Sequence, residues 1–211
     1  MGQTNLIMKK FFYDIETTGL DKDINGIHQI SGCIEMNDKV MEYFNFKVRP
    51  KEGAVYSPDA MTVGNVTEEQ LKAYEPMEDG YNKLIKMMSK YVNRFDKNDK
   101  FFMVGYNNAS FDNPFFRQWF EDNNDQYFGS WFWSHALDVI VLAGEYLAED
   151  RPTMPNFKLK TVAAQLGIVI EEEKLHDAVY DIELTRSIYR IVTKKNGNAR
   201  REFAVLDDLP F

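Results

Sequence analysis

The sequence predicts a single α/β domain in which a mixed β-sheet carries helices on its faces. Three observations predict it. Apolar, strand-like segments follow one another closely through the first fifty residues, and beyond them strand-patterned and helix-patterned segments alternate. The chain has 211 residues, 44% of them apolar, enough for one well-packed core and too few for two comfortable ones.

Lys10 to Ile15 is an apolar strand ended by Thr17-Thr18-Gly19. Ile27 to Met36 and Val40 to Val48 are two more, joined by the turn Asn37-Asp38-Lys39, which makes a three-stranded meander. Ser57 to Tyr74 mixes Pro, Gly and Thr with short apolar pieces and reads as loops and short helices. From Pro76 to Phe95 the spacing is helical: Tyr81, Leu84, Ile85, Met88 and Val92 share a face, and Lys83, Lys86, Lys90 and Arg94 form a solvated opposite face. Phe101 to Gly105 is a fourth strand, after which Asn107 and Asn108 offer N-caps for a helix from Ala109 to about Asp122. Ala136 to Ile140 is a fifth strand leading into a helix through Tyr146. A loop with Pro152 and Pro155 follows, then a short helix from Lys158 to Leu166 stopped by Gly167. The last helix spans Asp177 to Lys194, and Asn196-Gly197-Asn198 breaks it. The expected division is a folded domain over residues 1–195 and a short tail over 196–211.

No run of about 18 apolar residues is present, which excludes a membrane-spanning helix of ordinary length. Met1 to Lys10 has no long apolar stretch before a cleavage site, and the one cysteine, Cys33, has no partner for an internal disulfide; a cytoplasmic location is expected. The formal charge of −8 argues against binding of a phosphate backbone by Lys and Arg alone. Acids that hold divalent cations would reverse that argument, because each ion brings positive charge to the phosphate.

Several acids stand where apolar residues belong. Side chains alternate along a strand, so Phe12, Asp14 and Glu16 share one face of the first strand, and the two carboxylates fall near its C-terminal end, where ligands bind in open α/β sheets. Asp112 lies among Phe111, Phe115, Phe116 and Trp119 on the apolar face of its helix. Asp181 falls in the stripe Ala178, Leu184, Ile188 and Ile191 of the last helix. A buried carboxylate is costly without a partner, and these stripes contain no basic residue. Hard cations such as Mg²⁺ and Mn²⁺ prefer carboxylate oxygen, and two of them about 4 Å apart can hold both the attacking and the leaving oxygen of a phosphodiester. His176 precedes Asp181 by five residues, roughly 140° around a continuous helix, so the two converge only if His176 sits in a loop before the helix. From there its imidazole could act as a general base. Asp138, in the fifth strand, reads as a structural group hydrogen-bonded to backbone, and His28 and His135 as packed, hydrogen-bonded histidines.

With these residues in place the sequence resembles the DEDDh 3′→5′ exonuclease superfamily, which includes the epsilon proofreading subunit of the bacterial replicative polymerase. Asp14-Ile-Glu16-Thr17-Thr18-Gly19, then Tyr106-Asn107-Asn108-Ala109-Ser110-Phe111-Asp112, then His176-Asp177-Ala178-Val179-Tyr180-Asp181 look like its three motifs, in order and with the right spacing. The resemblance implies a ribonuclease-H-like fold with a five-stranded mixed sheet flanked by helices, residues 1–195 being the exonuclease domain. It implies two Mg²⁺ or Mn²⁺ ions per active site. Asp14, Glu16 and Asp181 would hold one, Asp14 would bridge to the second, and Asp112 would reach that one mostly through water, with His176 activating the attacking water. The 3′-terminal nucleotide would lie against Thr17, Thr18 and Leu20, with Asn108 and Phe111 nearby. The implied activity is release of nucleoside monophosphates from the 3′ end of DNA, preferably single-stranded. The alternatives are an RNA-trimming exoribonuclease and a polymerase-associated proofreading subunit. Two positions depart from the family: Tyr106, where many relatives have His, and Met61-Thr62-Val63-Gly64, where many have His-Gly-Ile-Thr.

The tail Leu206-Asp207-Asp208-Leu209-Pro210-Phe211 resembles the acidic C-terminal tip of bacterial single-stranded-DNA-binding proteins, which implies a peptide that docks a protein partner. A clamp-binding peptide and a tail that tucks Phe211 onto its own domain are the other two readings.

Overall fold

The computed structural model describes residues 8–172 and 178–194. The predicted meander forms from β1 (Lys9–Thr17), β2 (Ile27–Met36) and β3 (Lys39–Lys47), each antiparallel to the next. The turn between β2 and β3 is two residues, Asn37 and Asp38, both at positive φ, the backbone that a tight hairpin demands. Three helices follow, α1 (Pro58–Val63), α2 (Glu68–Ala73) and α3 (Met77–Met88). Then come β4 (Phe102–Gly105), α4 (Asp112–Asp122), α5 (Phe128–Trp131), β5 (Leu137–Asp138), α6 (Val139–Tyr146), α7 (Leu159–Gln165) and α8 (Ala178–Thr193). The sheet order is β3-β2-β1-β4-β5, with β4 parallel to β1 and β5 parallel to β4. This is the mixed five-stranded sheet that the sequence predicts, with β1 at its centre.

Alternation along β1 divides the core. Phe11, Tyr13 and Ile15 face one layer, with the buried aromatic residues of α3, α4 and α5. Phe116 sits at the middle of that layer, with ring centroids 5.0 Å from Tyr13, 5.3 Å from Phe120 and 5.7 Å from Phe128. Phe12 faces the opposite layer, with Cys33, Val104 and the apolar sides of α6, α7 and α8. Gly32 on β2 has to be glycine, because a Cβ there would lie 2.0 Å from the Phe12 carbonyl oxygen.

Some elements differ from expectation, each for an identifiable reason. The fifth strand has two residues instead of five. Asp138 caps α6 by accepting from Ile140 N–H at 3.2 Å, so the chain turns helical directly after it. The helix expected from Ala109 starts at Asp112, and neither Asn107 nor Asn108 caps it. Asp138 takes the N–H groups of Asn107 (2.9 Å) and Ala109 (3.0 Å), which holds residues 107–109 in a turn, with Asn107 at φ 63°. The helix expected to reach Phe95 ends at Met88 and continues as turns, although Val92 stays buried. Of the two histidines expected to be packed and hydrogen-bonded, His28 is buried but neither ring nitrogen has a partner among the described residues. His135 is exposed, with Nδ1 2.9 Å from Ser134 Oγ.

The expectation that the buried stripes hold no basic residue is also wrong. Lys10 and Arg186 are both buried and enclose Glu35, which is 1% exposed. Glu35 accepts from Lys10 Nζ at 3.0 Å, from Arg186 Nη2 at 2.6 Å and from Arg190 Nη2 at 2.9 Å. This cluster ties α8 to β1 and β2 toward the start of β1, away from the four acids.

Candidate active site

The site is built where β1 runs out. Its pairing with β4 covers Lys10 to Phe12 only, and its register with β2 shifts between Glu16 and Thr17. Beyond Phe12 the β4 side of β1 is therefore free for side chains of other elements, and a register irregularity beside an active site commonly re-aims such groups. The Ile15 N–H, with no strand partner on that side, donates to Asp112 Oδ1 at 3.2 Å. Asp112 is the first residue of α4, so its carboxylate also lies at the positive end of that helix. Asn113, next in the helix, accepts from the Tyr13 hydroxyl. One turn of α4 is thus stitched to β1 from both sides.

Asp14 and Glu16 are the half-buried positions in an otherwise buried run of β1, and they share the face that carries Phe12. On that face the core continues with α8, whose first turn brings Asp181. Asp181 is half-buried instead of lying in the sealed stripe, because Ile182, Leu184, Thr185 and Arg186 take the buried positions.

Electrostatics shows the convergence. The Asp14 carboxyl is pushed well above the ordinary carboxylate range, first by burial and then by repulsion from Asp112, Glu16 and Asp181. Asp112, 5% exposed, is pushed up to about 7, mainly by burial, with Asp138 and Glu16 adding to it against the hydrogen bond from Ile15. Four carboxylates from β1, α4 and α8 therefore act on one another in a low-dielectric cleft. That is a chemically suitable donor set for a hard divalent cation, which would relieve the repulsion. Among the described residues no three such side chains form a ready-made metal shell, so the acids are neighbours in electrostatic reach and not a closed cage.

The other expected residues fall around this cleft. Thr17 and Thr18 are buried; their hydroxyls donate to the Gly19 carbonyl (2.7 Å) and the Val55 carbonyl (2.7 Å), shaping the loop after β1. Asn25 Oδ1 accepts from Asp21 N–H at 2.9 Å, its Nδ2 donates to Val55 O at 2.8 Å, and its side chain fills the place a Cβ on Gly19 would need. The loop so pinned presents Leu20, 84% exposed, to solvent. Asn108 is fully buried, packed on Gly105, and the Phe111 ring lies tilted against Phe115, centroids 5.1 Å apart. Tyr106, at the first departure from the family pattern, donates its hydroxyl to Phe157 O at 2.7 Å and so braces the second motif from behind. Val63, in the second departing segment, is 77% exposed. His176 lies outside the described residues, as does the tail Leu206 to Phe211.

Sequence reasoning found Asp138 but not its importance: one carboxylate organises the turn from which Asp112 enters. It missed the Lys10–Glu35–Arg186 cluster. A signal was available for that, since Ile182, Thr185, Arg186 and Tyr189 follow helical spacing on a buried face.

The exonuclease family profile matches residues 11–189. A PolC-type DNA polymerase III of Mycoplasmopsis pulmonis is 30% identical over 178 residues, 84% of this chain and 11% of that protein. The epsilon subunit of DNA polymerase III from Pasteurella multocida is 25% identical, over 92% of this chain and 71% of the subunit. The chain thus spans about a tenth of the PolC-type relatives it matches. Among solved structures, Escherichia coli exonuclease I in its zinc-bound complex with single-stranded DNA superposes with a TM-score of 0.72 at 20% identity, over 90% of this chain and 41% of that one. The same enzyme bound to a dA16 oligonucleotide gives 0.70, over 90% and 41%. These similarities show a ribonuclease-H-like fold. With the profile covering most of its length, the chain belongs to the exonuclease family.

Proposed function

We propose that this chain removes nucleoside monophosphates from the 3′ end of DNA, preferably single-stranded, with Asp14, Glu16, Asp112 and Asp181 as metal ligands and His176 as general base. The observation that carries it is the mutual repulsion of the four carboxylates, which three separate elements bring to the open end of β1. In this reading Asp14, Glu16 and Asp181 hold one ion and Asp112 helps to hold another, as two Mg²⁺ or Mn²⁺. When bound, such ions supply positive charge to the attacking and leaving oxygens of the phosphodiester.

The protein's own groups would do the rest. Thr17 and Thr18 set the backbone of the loop against which the terminal nucleotide rests. Leu20 offers an apolar surface to its base, with Asn108 and Phe111 forming the wall behind. His176 accepts the proton of the attacking water. Stacking and backbone contact tolerate any base, so little sequence preference is expected. Replacing Asp14 by Ala should abolish nucleotide release from an end-labelled single strand in Mg²⁺, and undiminished release would end the proposal. Matched RNA in the same assay decides between DNA and RNA trimming.

The relatives support a second reading, a proofreading partner of a polymerase, since those compared are a polymerase and a polymerase subunit by name. Residues 1–195 would then be the exonuclease domain and Leu206, Asp207, Asp208, Leu209, Pro210 and Phe211 a docking peptide. Its support is the sequence pattern alone. Deleting 206–211 should spare digestion of short oligonucleotides while abolishing co-purification with the partner.

A further inference from the structure

We infer that a surface on the far side of α5 from the catalytic carboxylates is a track for the upstream part of the same single strand. This rests on the proposed function, because it takes the strand's 3′ end to lie at the acids. The surface is a cavity of about 560 Å³ lined by Arg94, Phe95, Lys97, Lys100, Tyr127 and Ser130. On a chain of net charge −8, three cations and two exposed rings in one depression are unexpected. Phe95 is 90% exposed and Tyr127 63%, which a packing role does not explain.

The cations are already arranged around ring faces. The Arg94 guanidinium lies 5.4 Å from the Tyr127 ring, 5.4 Å from Trp131 and 5.7 Å from Phe95. Lys100 sits 5.5 Å from the Trp133 ring and donates to Gly129 O at 2.6 Å. The acids nearby are turned to the chain itself. Asp125 accepts from the Tyr81 hydroxyl and from Tyr127 N–H and pairs with Arg94 at 3.6 Å. Asp99 is bound to Lys9 and to Asn93 N–H, and Asp96 accepts from Asn98 N–H.

A second cavity lies between this surface and the start of α4. It is about 390 Å³ and is lined among others by Lys22, Asn113, Arg117, Gln118, Glu121 and Phe128. Asn113 directly follows Asp112, and Lys22 belongs to the same loop as Leu20. Arg117 lies 4.5 Å from the Phe128 ring. Phe128 opens α5 on this side while Tyr127 and Ser130 line the other cavity, so a single helical turn separates the two. From Asp112 outward the lining therefore runs from Lys22 and Arg117, whose guanidinium covers the buried Phe128 ring, to Arg94, Lys97 and Lys100 with the exposed rings of Tyr127 and Phe95. Rings for bases and cations for phosphates are the means by which single strands are held without sequence preference. An acidic peptide would use the cations but gives no reason for a second cavity, with Lys22 and Arg117, next to Asp112.

The test uses the full chain in EDTA, with a fluorescent oligothymidylate longer than about 16 nucleotides, the upper site size of a single-strand groove. The variants are Phe95→Ala with Tyr127→Ala, and Lys97→Glu; all three side chains are exposed. Binding of the long strand should weaken about tenfold, the loss of stacking or of a phosphate contact. Hydrolysis of a trinucleotide in Mg²⁺ should keep its kcat and KM. Unchanged long-strand binding, or an equal loss on the trinucleotide, overturns the inference. If the variants lose a labelled acidic peptide and keep DNA, the surface belongs to a protein partner and the inference falls. If the unmodified chain hydrolyses no DNA, the proposed function falls, and the binding arm in EDTA still decides the track.

Discussion

Asp112→Asn should make the metal-free protein more stable while removing its activity. In the folded chain the Asp112 carboxyl is pushed up to about 7 from a reference near 3.8, chiefly by burial. An acid whose folded value is raised binds its proton more tightly when folded. Stability is therefore full below the unfolded value and is lost as pH rises from about 4 through about 7. Three units correspond to about 4 kcal/mol at the upper end of that window. Asparagine escapes this loss and keeps an oxygen for the Ile15 N–H, which Asp112 accepts at 3.2 Å. For a chain of this length each kcal/mol moves the Tm by about 2–4 °C, so a gain of about 10 °C is expected at pH 8 in EDTA. The gain should shrink at pH 5 and vanish near pH 4. Adding Mg²⁺ should raise the Tm of the unmodified protein more than that of the variant, because a ligand stabilises the state that binds it. Thermal unfolding followed by circular dichroism, with and without EDTA, measures all of this. A variant equal to or less stable than the parent at pH 8 in EDTA would refute the reasoning.

Glu35→Gln should destabilise by about 1–3 kcal/mol, read by urea unfolding, because it removes the shared counter-charge of buried Lys10 and Arg186 and leaves them only Asp38 and Glu183. Burial alone would raise Glu35, but hydrogen bonds from Arg186 and Lys10 outweigh it and hold the carboxyl below its usual range. Its contribution is therefore present above the unfolded value and lost as pH falls through the folded one, and the variant should be less sensitive to acid in that window. His28→Leu should remove a different acid sensitivity. Burial, helped by Lys47, lowers His28 to about 4, so this ring costs the parent stability as pH falls from about 6.5 to about 4, and the variant should lack that loss and keep the opposite trend from Asp112. An unchanged pH profile in His28→Leu would show that the ring is not held neutral.

Much of the fold could be read in advance because its signals are local. β1, β2, β3 and β4 follow from runs of apolar residues punctuated by turns, and Asn37-Asp38 at the hairpin is a local backbone requirement. The elements misjudged were those with boundaries set by a distant group. Asp138 captures N–H groups of Asn107 and Ala109, 31 and 29 residues away, and so delays α4 and cuts β5 short. Glu35 and Arg186 lie 151 residues apart, and no spacing rule relates them.

For the site, the sequence by itself determined which acids are out of place. Asp14 and Glu16 share a strand face and Asp112 interrupts an aromatic helix face, because alternation and helical period are properties of the backbone. Only the tertiary structure decided that these acids meet. The short β1–β4 pairing leaves Ile15 N–H for Asp112, and the packing of α8 brings Asp181 within electrostatic reach of Asp14. The same holds for the cationic and aromatic surface beyond α5, whose Arg94 and Tyr127 are far apart in sequence and adjacent in space. Periodicity records which way a side chain faces, whereas what it faces depends on how the layers are stacked.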